Sequence, residues 1–89
     1  MITYHRAYAE RREVEPGDAY GMYNSYEDAI KGWNTYIYDD CDVTVLACVN
    51  GVWYRVSTYF SKGGNPLYRL VNSPIYPAKW LPLEEILKN

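Results

Sequence analysis

Side chains able to do covalent or acid–base chemistry are few in this 89-residue chain, and their spacing restricts what they can do. Its one histidine, His5, has no serine or cysteine placed with it in the way a nucleophile and its base require. Cys41 and Cys48 are seven positions apart. On a single strand rising about 3.3 Å per residue they would be separated by roughly 23 Å and point to opposite faces, so they cannot bridge each other. Neither has a second Cys or His nearby to share a metal, and two unpaired thiols suit a reducing compartment. Asp39, Asp40 and Asp42 crowd three carboxylates into four positions. The glycine and distal glutamate of a calcium loop are missing, so the cluster reads as a solvated turn and as an acidic patch for a basic partner. Glu84 and Glu85 lie on a short terminal segment that lines no evident cleft. The expectation is a non-enzymatic protein with no catalytic residue, metal or cofactor.

Recognition chemistry is better represented. Trp53, Arg55 and Tyr59 alternate along one stretch, with Arg69 farther on. These are the residue types that anchor protein interfaces, and they can equally stack on bases while cations meet phosphates. The element that must position them is Val43 to Phe60, two β-branched and aromatic runs around Asn50-Gly51, a dipeptide that tolerates the positive φ angles of a two-residue hairpin turn. Such a turn sets the register: Val49 opposite Val52, Ala47 opposite Tyr54, Val45 opposite Val56 and Val43 opposite Thr58. That face is the expected core. The other face would carry Thr44, Leu46 and Cys48 opposite Ser57, Arg55 and Trp53, and is expected to face water as a contact surface.

The remaining elements follow from local signals. Ile2 to about Arg12 fits either a strand, by alternation, or a helix, with Tyr4, Ala7, Tyr8 and Arg11 on one side; a strand is favoured because nothing caps a helix start. Glu15-Pro16-Gly17-Asp18 is a turn, and Ala19 to Asn24 a loop or short extended piece. Ser25 can cap a helix, with Asp28 answering in a capping box and Glu27 and Asp28 at the positive end of the dipole. Tyr26, Ala29, Ile30, Trp33 and Ile37 form its apolar stripe, and the following acids place its end near Tyr36 or Tyr38. The turn 61–66 leads to a strand over Leu67–Val71; its glycines precede no helix and so form no phosphate loop. Pro74, Pro77 and Pro82 keep the segment 73–81 an extended arm, and Leu83–Lys88 forms a short helix behind Pro82. The expected fold is therefore a single small α+β domain over residues 1–89: an antiparallel meander of three to four strands, one main helix on one face and a short C-terminal helix, in the order β-α-β-β-β-α.

Charge is divided along the chain. Nine acids lie between Glu10 and Asp42 against three bases, whereas Val43 to Leu83 carries four bases, Arg55, Lys62, Arg69 and Lys79, and no acid. Eleven tyrosines can cover a small core with their rings while their hydroxyls stay wet. No apolar run approaches the roughly 20 residues of a membrane span and the start carries no signal-like stretch, so a cytoplasmic protein without membrane contact is expected. From Ala19 onward the order helix, three strands, helix resembles the double-stranded RNA-binding domain in topology. That family presents lysines at the start of its last helix, where this chain has Pro82-Leu83-Glu84-Glu85. The expected function is protein binding through Trp53, Arg55, Tyr59, Arg69, Asp39, Asp40 and Asp42. A small charge-divided domain of this kind looks like the inhibitors by which phages and mobile elements block a host or defence protein or nucleoprotein. Nucleic-acid binding by the hairpin face is the alternative.

Overall fold

Alternation along the N-terminus resolves as a strand. In the computed structural model, which describes residues 1–35, 39–72 and 78–88, strand β1 (Ile2–Glu10) is followed by one 3-10 turn (Pro16–Asp18), β2 (Ala19–Tyr23) and helix α1 (Tyr26–Ile30). Strands β3 (Cys41–Val49), β4 (Val52–Phe60), β5 (Pro66–Leu70) and β6 (Leu81–Pro82) then lead into helix α2 (Leu83–Leu87). All pairings are antiparallel, and they build one six-stranded sheet in the order β2-β1-β3-β4-β5-β6. The α+β class and the meander from β3 onward are as expected, but the sheet has six strands, not three or four.

Each extra strand has a physical origin. With β3 paired along the whole of β1, the other edge of β1 would leave its backbone groups unpaired. The stretch expected as a loop or short extended piece, Ala19 to Asn24, is extended over Ala19–Tyr23 and pairs there. Leu81, expected to end the extended arm, and Pro82, expected at the start of the last helix, likewise pair with β5. Of the rest of that arm, residues 73–77 lie outside the described residues.

Helix α1 begins as its chemistry dictates: the Ser25 hydroxyl accepts the Asp28 N–H at 3.0 Å. It ends far earlier than expected, at Ile30. Lys31 leaves helical geometry (ψ 122°), and Gly32 takes a φ of +69°, which only glycine adopts cheaply. Arg6 of β1 closes this end, donating from Nε to the Ala29 carbonyl (2.6 Å) and from Nη2 to that of Lys31 (2.9 Å). A cation there meets the negative end of the helix dipole. Tyr26 and Ala29 are buried as the stripe required, while Ile30 is exposed and Trp33 half-buried. Tyr36, Ile37 and Tyr38 lie outside the described residues.

The hairpin register is as read from the sequence for three of the four expected pairs; the fourth, Val43 with Thr58, is not among the β3–β4 partners. Asn50 and Gly51 have φ of 51° and 84°, and Val49 pairs with Val52, Ala47 with Tyr54 and Val45 with Val56. These pairs form one face, where Val45, Ala47 and Val56 pack with Tyr4, Tyr26, Ala29 and Tyr68 under the two helices. The hydroxyls of Tyr4 and Tyr68 meet at 2.7 Å inside this core. Burial and that bond together push the Tyr68 phenol well above its ordinary pKa.

The opposite face departs from expectation, for it is a second core. Leu46 and Ala7 are fully buried there with Ala9 and Val14, and Trp53 and Val71 pack against them. The β1–β2 connection is what seals it. This segment lies across the sheet and inserts Val14, which is only 1% exposed. Among the described residues no helix is long and apolar enough to cross a membrane.

Candidate functional site

Asp42 sits at the start of β3 with its side chain on this second face, and its carboxylate takes three hydrogen bonds. Arg55 donates to it as a fork, Nη1 to Oδ2 and Nη2 to Oδ1, both at 2.7 Å, and the Val14 N–H donates at 2.9 Å. Burial alone would raise the Asp42 carboxyl, but the Arg55 and Val14 bonds outweigh it and hold it below its ordinary pKa. The same fork raises the Arg55 guanidinium further above its ordinary value. Next along the face, Arg69 of β5 is directly opposite Arg55 on β4. Two guanidiniums so placed repel, and Glu13 of the β1–β2 connection lies between them, bonded to Arg69 and 3.9 Å from Arg55. Arg69 also lies under the Trp80 ring, 5.3 Å from its centroid.

These groups floor an open depression of about 540 Å³, whose walls include Arg12, Asp39, Asp40, Cys41 and Trp80. Arg12 is held in its own fork with Asp18, with both contacts at 2.7 Å. Five of the seven residues expected to bind a partner, Arg55, Arg69, Asp39, Asp40 and Asp42, therefore surround one cavity. They are not equivalent. Arg55 and Asp42 are about one-fifth exposed and bonded to each other, whereas Asp39 and Asp40 form an exposed rim, with Arg11 only loosely opposite Asp40 at 3.6 Å.

The other two expected residues stand apart. Trp53 is half-buried against the second core, its ring 4.9 Å from that of His5, and so is not the free outward indole expected. Tyr59 is 78% exposed, beyond Ser57 near the end of β4. The planned row of Trp53, Arg55 and Tyr59 is thus interrupted, because the connection carrying Glu13 and Val14 covers the middle of the face. Glu13, Arg12 and Trp80 belong to the site but carried no local signal, since Glu13 meets Arg69 from 56 positions away.

His5 is committed to the fold. Nδ1 donates to the Gly21 carbonyl at 2.5 Å, and Nε2 is hydrogen-bonded with the Thr3 hydroxyl at 2.9 Å. Cys41 and Cys48 are free thiols on β3, and among the described residues no three His, Cys, Asp or Glu side chains converge as metal ligands would. No protein-family model, curated protein or solved structure matches the chain.

Proposed function

We propose that this chain is a non-enzymatic protein-binding module, and that the depression rimmed by Asp39 and Asp40 receives a basic segment of its partner. The observation that supports this reading is the internal pairing of the two arginines on the face. Arg55 and Arg69, the guanidiniums on which a nucleic-acid surface would depend, are neutralised by Asp42 and Glu13. Phosphate binding draws its affinity from cations free to replace counterions, and these two would first have to give up a carboxylate. What remains turned outward is a pair of rim acids beside an aromatic wall, Trp80, which suits lysine or arginine side chains. The one histidine has both ring nitrogens engaged in the fold, which speaks for binding over catalysis.

An affinity capture comparing wild type with the Asp39→Lys/Asp40→Lys variant tests this. Wild type retains one stoichiometric protein partner, and the variant loses it while keeping the same circular dichroism. Retention of the partner by the variant as well as by wild type would overturn the site. Tight binding of RNA or DNA that weakens steeply with salt would replace the reading with the nucleic-acid one.

A further inference from the structure

Arg55 on β4 and Arg69 on β5 are paired directly across the ladder. Like charges so placed repel, and Glu13 relieves the repulsion with a single oxygen. Its Oε1 accepts from Nη2 of Arg69 and lies 3.9 Å from Nη1 of Arg55. Both guanidiniums are also held from elsewhere: Arg55 is forked onto Asp42, and Arg69 lies under the Trp80 ring. The Glu13 side chain is far less enclosed, at 63% exposed against 21% for Arg55 and 26% for Arg69. Its backbone, in contrast, is fixed on either side. Arg12, forked onto Asp18, donates to the Glu13 carbonyl at 3.3 Å, and Val14 is buried with its N–H on Asp42. The carboxylate can therefore swing out while the connection stays in place.

From this geometry we infer that Arg55 and Arg69 form a binding site for one carboxylate of the partner, and that Glu13 is its tethered occupant, displaced when the partner binds. Charge selects the ligand. With Glu13 withdrawn, the two guanidiniums are offset by Asp42 alone, an excess of one positive charge, which a monoanionic carboxylate balances. A phosphate dianion would overshoot that balance beside the rim acids Asp39 and Asp40. Release of Glu13 is cheap, since an ion pair with one member this exposed favours the closed arrangement by no more than about fivefold. The inference rests on the reading of the depression as the partner's seat, and it narrows the partner's chemistry: the segment received there carries one Asp or Glu among the Lys or Arg that meet the rim.

Titration of the whole chain with sodium propionate, the carboxylate end of a glutamate side chain, tests the site against sodium chloride at matched ionic strength. The readout is the carbon NMR signals of the Arg55 and Arg69 Cζ atoms, at about pH 8, where phosphate is a dianion. Glu13→Gln gives saturable shifts with a dissociation constant about fivefold below that of wild type, because in wild type the site is mostly filled from within. Glu13→Ser gives the same result without an amide that could stay bonded to Arg69, and adding Arg69→Met to either variant removes the response. No saturable shift in either Glu13 variant, affinity equal to that of wild type, or a response no greater than that to chloride would overturn the inference. So would tighter binding of inorganic phosphate than of propionate, which would return the two arginines to a nucleic-acid surface. No partner enters the titration, so its failure is distinct from failure of the capture experiment on Asp39 and Asp40.

Discussion

Replacing Asp42 by alanine removes the acceptor for both arms of the Arg55 fork and for the Val14 N–H. Breaking a buried ion pair from one side costs about 3–5 kcal/mol, mostly because the surviving charge is left without solvent or partner. Arg55 keeps 21% of its side-chain exposure and has Glu13 at 3.9 Å, so water and that carboxylate recover part of the loss, and about 2 kcal/mol is the better figure. The Val14 N–H, stranded beneath the connection, adds about 1 kcal/mol. A total near 3 kcal/mol would lower the melting temperature of a domain this size by roughly 12–24 °C. The assay is urea and thermal unfolding of wild type, Asp42→Ala, Arg55→Met and the double variant. The expected result is strong non-additivity, the double variant being no less stable than Asp42→Ala alone, because removing the orphaned cation relieves much of the penalty. An Asp42→Ala change within about 0.5 kcal/mol of wild type, or two strictly additive effects, would refute the clamp and return Asp42 to the binding surface.

Other expectations follow from the same geometry. Gly21→Ala should cost about 2 kcal/mol in urea unfolding, since it places a side chain at φ +72° with its Cβ 2.8 Å from the Tyr23 ring. Tyr68→Phe should cost about 1–2 kcal/mol by leaving the buried Tyr4 hydroxyl without its partner. In alkaline titration the Tyr68 phenol, raised by burial and by Tyr4, keeps its proton beyond the ordinary value near 10; its stabilising effect is complete below that value and declines as pH rises above it, so tyrosinate absorbance at Tyr68 should appear only with unfolding. Asp18 moves in the opposite sense. Arg12 and the Glu15 N–H hold its carboxyl at about 2, below its unfolded value near 4, so the support it gives the β1–β2 connection is present above pH ~4 and lost as pH falls towards 2. Hydrogen exchange at Val14 and Glu15 should accelerate over that acid window, and Asp18→Asn should abolish the acceleration.

The signals that proved legible were local and chemical. Asn50-Gly51 set the hairpin register because a two-residue turn leaves no freedom in which residues oppose each other. Ser25 marked a helix start because its hydroxyl answers an N–H three residues away. The helix end is not legible locally: the apolar spacing continues through Trp33 to Ile37, whereas the glycine at 32 and the Arg6 cap, 23 residues from the Ala29 carbonyl it holds, close the helix after Ile30. The outer hairpin face was misjudged for a similar reason. Thr44, Cys48, Ser57 and Arg55 look wet by composition, but a segment thirty or more residues earlier supplies Val14 to bury Leu46 and Glu13 to engage Arg69.

From the linear order of residues alone came the α+β class, the hairpin register and the crowding of acids at the start of β3, all of which depend on neighbours a few positions apart. Whether a given charge faces a partner or its own chain was decided only by folding. Coulomb attraction and burial depend on distance in space: the Asp42–Arg55 fork forms only once β3 and β4 pair, and the Glu13–Arg69 contact only once the β1–β2 connection lies across the sheet.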